Sequence, residues 1–303
     1  MTSNSGSIGV NGVLALSTCR VVSKSGRIRV QSLAGANLHI ESSNSDIIAI
    51  NATSFSLVKQ ALSNITLIGH GTANVIITNV FAGYNATVRS EDGDIIGVVA
   101  AVGIEGDLDM AVTGSGGIFL NNFIMASGSA AYVGVVLRAS PVAVPHECCD
   151  SFLRSTSGTI KVAAMTANNL FINTDDGEVS LYEVFIGMPE PAGFTYPKPY
   201  MLVDTDSGGI TVLGAGATPT SSAFASELVM LFRSSSSDIK VEVNGGGFAG
   251  RYNCATSGDI QVSVHGDWAT SSGVVGVGGS GYVECLSDDG DVELAMLPGP
   301  LGT

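Results

Sequence analysis

This chain is short of charge, of aromatic rings and of helical patterning. Only 13% of its residues are charged and 6% aromatic, against about 25% charged in an ordinary soluble domain. Its 13 Lys and Arg face 27 Asp and Glu, for a net charge of −14. Nucleic acid and anionic membrane surfaces need a basic face, so neither is expected as a partner. No uninterrupted apolar run reaches the ~18 residues of a membrane span. Met1-Thr2-Ser3-Asn4 leads straight into a repeat, without the basic and apolar regions of a secretory signal. A 3.6-residue apolar period is missing almost everywhere. The exception is Phe55-Ser56-Leu57-Val58-Lys59-Gln60-Ala61-Leu62, where a short helix is expected.

What is present is apolar and glycine-rich: 45% hydrophobic residues and 39 Gly. That is too apolar for disorder, which goes with low hydrophobicity and high charge. A phrase repeats along the chain, clearest at Thr256-Ser257-Gly258-Asp259-Ile260-Gln261-Val262. Taking the glycine as anchor, aliphatics follow two and four residues later at Gly6, Gly26, Gly116, Gly158, Gly177, Gly208, Gly258 and Gly290. Ser237 takes the glycine's place before Ile239 and Val241, and the copies at Ser45-Asp46-Ile47-Ile48 and Gly93-Asp94-Ile95-Ile96 carry a doubled isoleucine. Ala73-Asn74-Val75-Ile76-Ile77 reads as a degenerate copy.

Apolar residues also sit seven and five positions before the anchor, as Leu170 and Ile172 before Gly177 or Met201 and Val203 before Gly208. Alternation on both sides of a small polar turn predicts two strands per coil, each with one inward face. Gly is expected to supply positive φ at the turn, with Ser, Asp and Asn bonding their own backbone. Such a coil cannot bury its apolar face alone, and stacking buries it.

The fold class expected is therefore all-β: a single-stranded parallel β-helix, or β-solenoid, of about 11–13 coils of roughly 20 residues with loop insertions. Its rod would be roughly 50–60 Å long, and a right-handed path is favoured. Residues 1–297 read as one solenoid domain, with insertions near 51–70, 138–154 and 187–200, and 298–303 as a tail or linker. Loops on a rigid frame are where recognition usually lives. The proline-rich 187–200 segment carries Phe194, Tyr196 and Tyr200 as a candidate partner-contact loop, or else a lid over the core flank.

No catalytic, cofactor or metal motif stands out. Acids gather at turns, as in Asp175-Asp176-Gly177-Glu178 and Asp288-Asp289-Gly290-Asp291. The nine-residue calcium-binding β-roll pattern is absent, and these acids read as chemistry that keeps corners wet and discourages unwanted strand pairing. His146-Glu147-Cys148-Cys149-Asp150 is the one cluster with metal-capable groups, but it has no second ligand pair at zinc spacing. No metal or cofactor is expected.

Cys19, Cys254 and Cys285 fall in inward slots. Cys254 and Cys285 would stack in neighbouring coils, either as a disulfide or as buried thiols acting as small hydrophobes. Asn51, Asn64 and Asn85 each open an Asn-x-Thr acceptor, and their crowding points mildly to a secreted glycoprotein. The outward positions Gly9, Arg29, Phe119, Lys161, Ser180, Thr211, Lys240, Gln261 and Glu293 form no carboxylate column with stacking aromatics, so a sugar-cleaving β-helix is disfavoured.

The phrases at 256–262, 155–162 and 287–294 resemble the adhesin repeat families described as auto-transporter adhesin heads. That resemblance implies a parallel β-solenoid with a cell-surface role, and carries over no catalytic residues. The expectation is a non-enzymatic extracellular structural or adhesive rod, a building block of a cell-surface or filamentous assembly. Its partners would be copies of itself or other surface and filament proteins. The alternatives are a carbohydrate-binding module using Phe194, Tyr196, Tyr200 and Trp268, and a polysaccharide-active enzyme. Repeats reaching close to both termini, without an obvious polar cap, favour assembly.

Overall fold

The protein, seen in a computed structural model, is described over residues 1–54, 63–82, 84–98, 101–102, 107–122, 124–125, 150–187, 199–217, 227–245, 248–275 and 279–298. Every regular element among them is a β-strand, and the strands join in one long, mostly parallel sheet. No helix among the described residues is long and apolar enough to cross a membrane.

Each circuit of the chain begins on a first face, the strand before the anchor glycine. Asn169–Thr174 is one such strand, paired in register with Asp150–Ser155 on one side and Tyr200–Thr205 on the other. The anchor corner leads to a second face, where Val179–Ile186 lies between Ile160–Ala167 and Ile210–Ala217. Inward residues alternate as their spacing predicts. Leu170, Ile172, Val179 and Leu181 are all at most 1% exposed, and each such burial is worth about 1.5–3 kcal/mol. Stacking in register continues every inward slot as a column of aliphatics.

The anchor corner has its own hydrogen-bond logic. Three residues before the glycine stands a buried Ser or Thr: Ser155, Thr174, Thr205, Ser234 and Ser287 are 4% exposed or less. The Ser155 hydroxyl accepts the Gly158 N–H at 3.0 Å and donates to the Gly116 carbonyl of the preceding coil at 3.1 Å. Ser234 does the same between the Ser237 N–H and the Gly208 carbonyl, at 3.1 and 3.2 Å. A hydroxyl satisfied on both sides is tolerated at the edge of an apolar core.

The anchor glycines do not supply positive φ, contrary to expectation; none of them is left-handed. Their requirement is close approach. A Cβ on Gly158 would lie 1.8 Å from the Gly116 carbonyl oxygen, and one on Gly208 would lie 1.9 Å from that of Gly177. At Gly158 and Gly208 the absence of a side chain is what lets one corner rest on the next at strand spacing.

Left-handed residues appear instead at a second corner, after the second face. Ser32 (φ 57°), Asn51 (52°), Asn79 (49°), Asn122 (53°), Ala164 (53°) and Glu183 (51°) occupy equivalent positions there. This corner turns the chain into a short third face, so a coil has three strands where two were expected. Thr53–Ser54 pairs with Phe81–Ala82, and residues 165–167 pair with 184–186. Two- and three-residue strands are too short to show alternation in a sequence.

The insertions leave after this third face. Of the expected insertion at 51–70, Thr53–Ser54 and Asn64–Gly69 are regular strands. The helix expected at 55–62 lies outside the described residues. Likewise Asp150–Ser155 is a first-face strand, and Tyr200 opens another. The remainder of the expected loops at 138–154 and 187–200 falls outside the described residues, except Gly187 and Pro199.

The final circuits are stacked out of chain order. Val229–Ser234 and Ile239–Gly245 pair with Gly281–Ser287 and Val292–Pro298. Those in turn pair with Gly250–Ala255 and Ile260–Val264. The outermost coil therefore precedes its inner neighbour in the chain. The connection between them runs back across the stack as Asp267–Ala269 and Ser272–Val275, antiparallel to Ile260–Val264 and Gly250–Ala255. This end thus carries a partial cover made by its own chain.

Candidate functional site

In-register stacking makes ladders of whatever the outward slots contain. The doubled isoleucines explain themselves here: the second of each pair points out. Ile48, Ile76, Ile96 and Phe119 are register partners down the second face, half-buried by one another and by their neighbours. The column begins at Gly9 and Arg29 and continues through Lys161, Ser180, Thr211, Lys240, Glu293 and Gln261. Four consecutive rungs of this column are apolar, and those from Lys161 onward are polar.

The first face is divided the other way. His39, Thr66, Thr87 and Asp109 are followed in register by Phe152, Phe171, Leu202 and Leu231. The Phe152 and Phe171 rings stack with centroids 5.0 Å apart and 15° between planes. Tyr200 lies tilted beside Phe171 at 5.5 Å. Arg154 places its guanidinium carbon 5.1 Å from the Phe152 centroid, a cation–π contact. Tyr200, singled out from the sequence, thus flanks a stacked pair, Phe152 and Phe171, that the sequence reading did not single out. The register signal for them was present, in Phe152 and Phe171 two residues after the start of their strands.

Beside these runs an Asn/Asp ladder along the edge of the first face. The Asn37 side-chain oxygen accepts the Asn64 N–H at 3.2 Å, Asn64 accepts the Asn85 N–H at 3.3 Å, and Asn85 accepts that of Asp107 at 2.9 Å. Asp107 accepts the Asp150 N–H at 3.3 Å, Asp150 accepts the Asn169 amide at 2.8 Å, and Asn169 accepts the Tyr200 N–H at 3.1 Å. Two of the three candidate glycosylation asparagines, Asn64 and Asn85, are half-buried rungs of this ladder. Asn51 stands exposed at a left-handed corner, its side-chain oxygen accepting the Asn79 amide at 3.1 Å.

Corner carboxylates serve the same end. Asp238 accepts the Asp291 N–H at 2.9 Å, and Asp291 accepts the Asp259 N–H at 2.9 Å. They line an open trough with Glu178, Ser180, Thr211, Lys240 and Glu293, in which Lys240 pairs with Glu293 at 2.8 Å. Carboxylates that hold backbone N–H groups are framework. Among the described residues no cluster of His, Cys, Asp and Glu suits a metal ion.

The densest polar cluster lies near the first coils. His70 Nδ1 sits 2.8 Å from Glu91 and its Nε2 3.5 Å from Glu41, which also meets His39 at 3.1 Å and Arg20 at 3.2 Å. The Glu91 hydrogen bond raises the His70 pKa, while the Gly71 N–H and His70 lower that of Glu91.

Cys254 and Cys285 are register partners, 3% and 0% exposed, and both are free thiols. Their mutual hydrogen bond and burial push the Cys285 thiol well above its usual pKa. Cys19 is partly buried and also free. Phe194, Tyr196 and the His146–Cys149 cluster lie outside the described residues. Trp268 is 78% exposed on the returning strand at the outermost coil. No known protein family, curated protein or solved structure matches this chain.

Proposed function

We propose that this chain is a non-enzymatic structural or adhesive rod, working outside the cell or on its surface as one unit of a larger filamentous assembly. In this reading the stack is a right-handed solenoid of about 11–13 coils. The observation that supports it most is the outward apolar ladder Ile48–Ile76–Ile96–Phe119. A flat sheet face carrying contiguous apolar side chains is suited to packing against another surface. Framework ladders of Asn, Asp, Ser and Thr keep that face straight at strand spacing. The likeness of the corner phrase to adhesin repeats supports the same reading, and exposed Asn51 suits a glycosylated chain. Electron microscopy and sedimentation of the wild-type chain and of Ile76→Glu with Ile96→Glu test it. Side-by-side association that survives high salt and is lost in the double variant is expected. A wild-type chain that is monomeric under all conditions would sink it.

A second reading, a carbohydrate-binding surface, is favoured by the aromatic cluster Phe152–Phe171–Tyr200 on the first face, because aromatic side chains join large apolar area to a polar tip in Tyr200. Titration with soluble polysaccharides is the test. Binding that disappears in Phe171→Ala and in Tyr196→Ala with Tyr200→Ala would support it, and unchanged binding in both would remove it.

A further inference from the structure

We propose that the two ends of the stack are complementary docking surfaces, so that a second copy of this chain joins the first head to tail. The proposal rests on the reading of the chain as an assembling rod, and it names the partner and the polarity of the contact.

At the first end a strand edge is paired on one side only among the described residues. Residues 8–16 pair only with the strand Ile28–Ser42 among the described residues, and Thr2–Ser3 covers only Val22 and Ser23 of the next circuit. Met1, Leu14 and Leu16 are 64%, 63% and 75% exposed there. At the other end, the returning strands Asp267–Ala269 and Ser272–Val275 pair on one side only among the described residues. Trp268 and Val274 are 78% and 69% exposed on them. Among the described residues each end therefore offers unpaired backbone N–H and C=O groups beside exposed apolar side chains, the ingredients of strand addition.

Edges and apolar side chains alone do not choose an occupant, but charge does. Residues 1–40 contain Arg20, Lys24, Arg27 and Arg29 and no acid, in a chain of net charge −14. Lys24 and Arg29 are exposed and make no ion pair among the described residues. The outermost coils at the far end expose Asp259, Asp267, Asp288, Asp289, Asp291 and Glu293, against the single basic residue Arg251. Lys24 and Arg27 flank the Gly26 corner, while Asp259, Asp288, Asp289 and Asp291 flank the Gly258 and Gly290 corners. The opposite charges therefore lie at the same corner of the rod. Two first ends repel, as do two far ends, whereas a first end and a far end attract and are steered into register. Ion pairs across coils are already used at this corner: Arg27 meets Asp46 of the following coil at 3.3 Å. A head-to-tail contact leaves one free end of each kind, so it propagates.

The test uses the 303-residue chain in sedimentation velocity and electron microscopy across a salt series. End-to-end growth is expected at low salt, with the apparent Kd of that contact weakening at least about tenfold as screening shortens the reach of the charges. Lys24→Glu with Arg29→Glu, and Asp259→Lys with Asp289→Lys, should each be folded by circular dichroism and alone show no end-to-end growth. Mixed in equal amounts they should regain end-to-end growth with the two variants alternating, because each first end then meets a far end of opposite charge. Leu14→Ser with Leu16→Ser, which leaves charge unchanged, should weaken association at every salt concentration. Unaltered end-to-end growth in the charge variants, or a mixture that shows none, would overturn the proposal. Side-by-side bundles without end-to-end growth would remove head-to-tail docking and leave the structural-rod reading standing. A wild-type chain monomeric at all salts would remove both.

Discussion

Cys254 and Cys285 face one another across adjacent parallel strands although the coil bearing Cys254 comes first in the chain and stacks outside the other. Neighbouring parallel strands stand about 4.8 Å apart, wider than the Cβ separation of about 3.8 Å common in disulfides. Two reduced thiols sharing a hydrogen bond fill the paired inward slots as small apolar groups.

Both thiols are therefore predicted to resist alkylation in the folded chain. Burial excludes reagent, and the raised pKa keeps the Cys285 thiolate scarce at neutral pH. Peptide mapping after iodoacetamide should show both unmodified in native protein and both modified after denaturation. A linked peptide pair from freshly purified, non-reduced protein would contradict this.

The corner glycines divide by the space above them. Gly158→Ala should destabilise the fold by about 3 kcal/mol or more, since its Cβ would overlap a carbonyl that cannot move without separating two coils. Gly9→Ala, with nothing within 4 Å of the added Cβ, should change stability by no more than about 0.5 kcal/mol. Denaturant midpoints of the two variants provide the comparison.

Asn85 is a rung whose side-chain oxygen receives the Asp107 N–H. Asn85→Ala should cost about 1–2 kcal/mol by leaving that half-buried N–H without its acceptor. Asn85→Asp keeps the acceptor and should recover most of the loss. Equal damage from both substitutions would mean that the rung contributes nothing specific.

Stability should also depend on pH through His70 and Glu91. The folded pKa of His70 is raised, so its contribution is complete below its unfolded value, about 6.5, and fades as pH rises through the folded value. Glu91 is lowered, so its contribution is complete above its ordinary value and fades as pH falls through the folded one. The pair is most effective in the mildly acidic window between the two. His70→Gln should flatten the decline on the alkaline side of that window, read from urea midpoints between about pH 5 and 8. A curve identical to wild type would show that Glu41 and Glu91 do not hold the proton on His70.

Much of the frame is legible in the amino-acid sequence. Positions such as Leu170, Ile172, Val179 and Leu181 announce their burial by alternation, because a period of two admits only one inward set. Val75 and Ile77, in a degenerate copy without a glycine, still fell on the inward side. The third strand was not legible, since Thr53–Ser54 or Phe81–Ala82 has too few residues for any period. Nor was the outward ladder of Ile48, Ile76, Ile96 and Phe119, because a second isoleucine beside an inward one looks like noise until the register of four coils is known.

The amino-acid sequence by itself determined that this chain is a β-repeat protein, where its corners fall, and that Asp259 and its counterparts belong to those corners. It did so because stacking repeats one local requirement, a small residue followed by alternating aliphatics, in every coil. Tertiary structure decided the rest: that Gly158 is required by the carbonyl of Gly116, that Asn64 and Asn85 are rungs, and that the last coil slides beneath the one before it. Each of these is a relation between coils about 20 residues or more apart, and only the register of stacking brings such residues together.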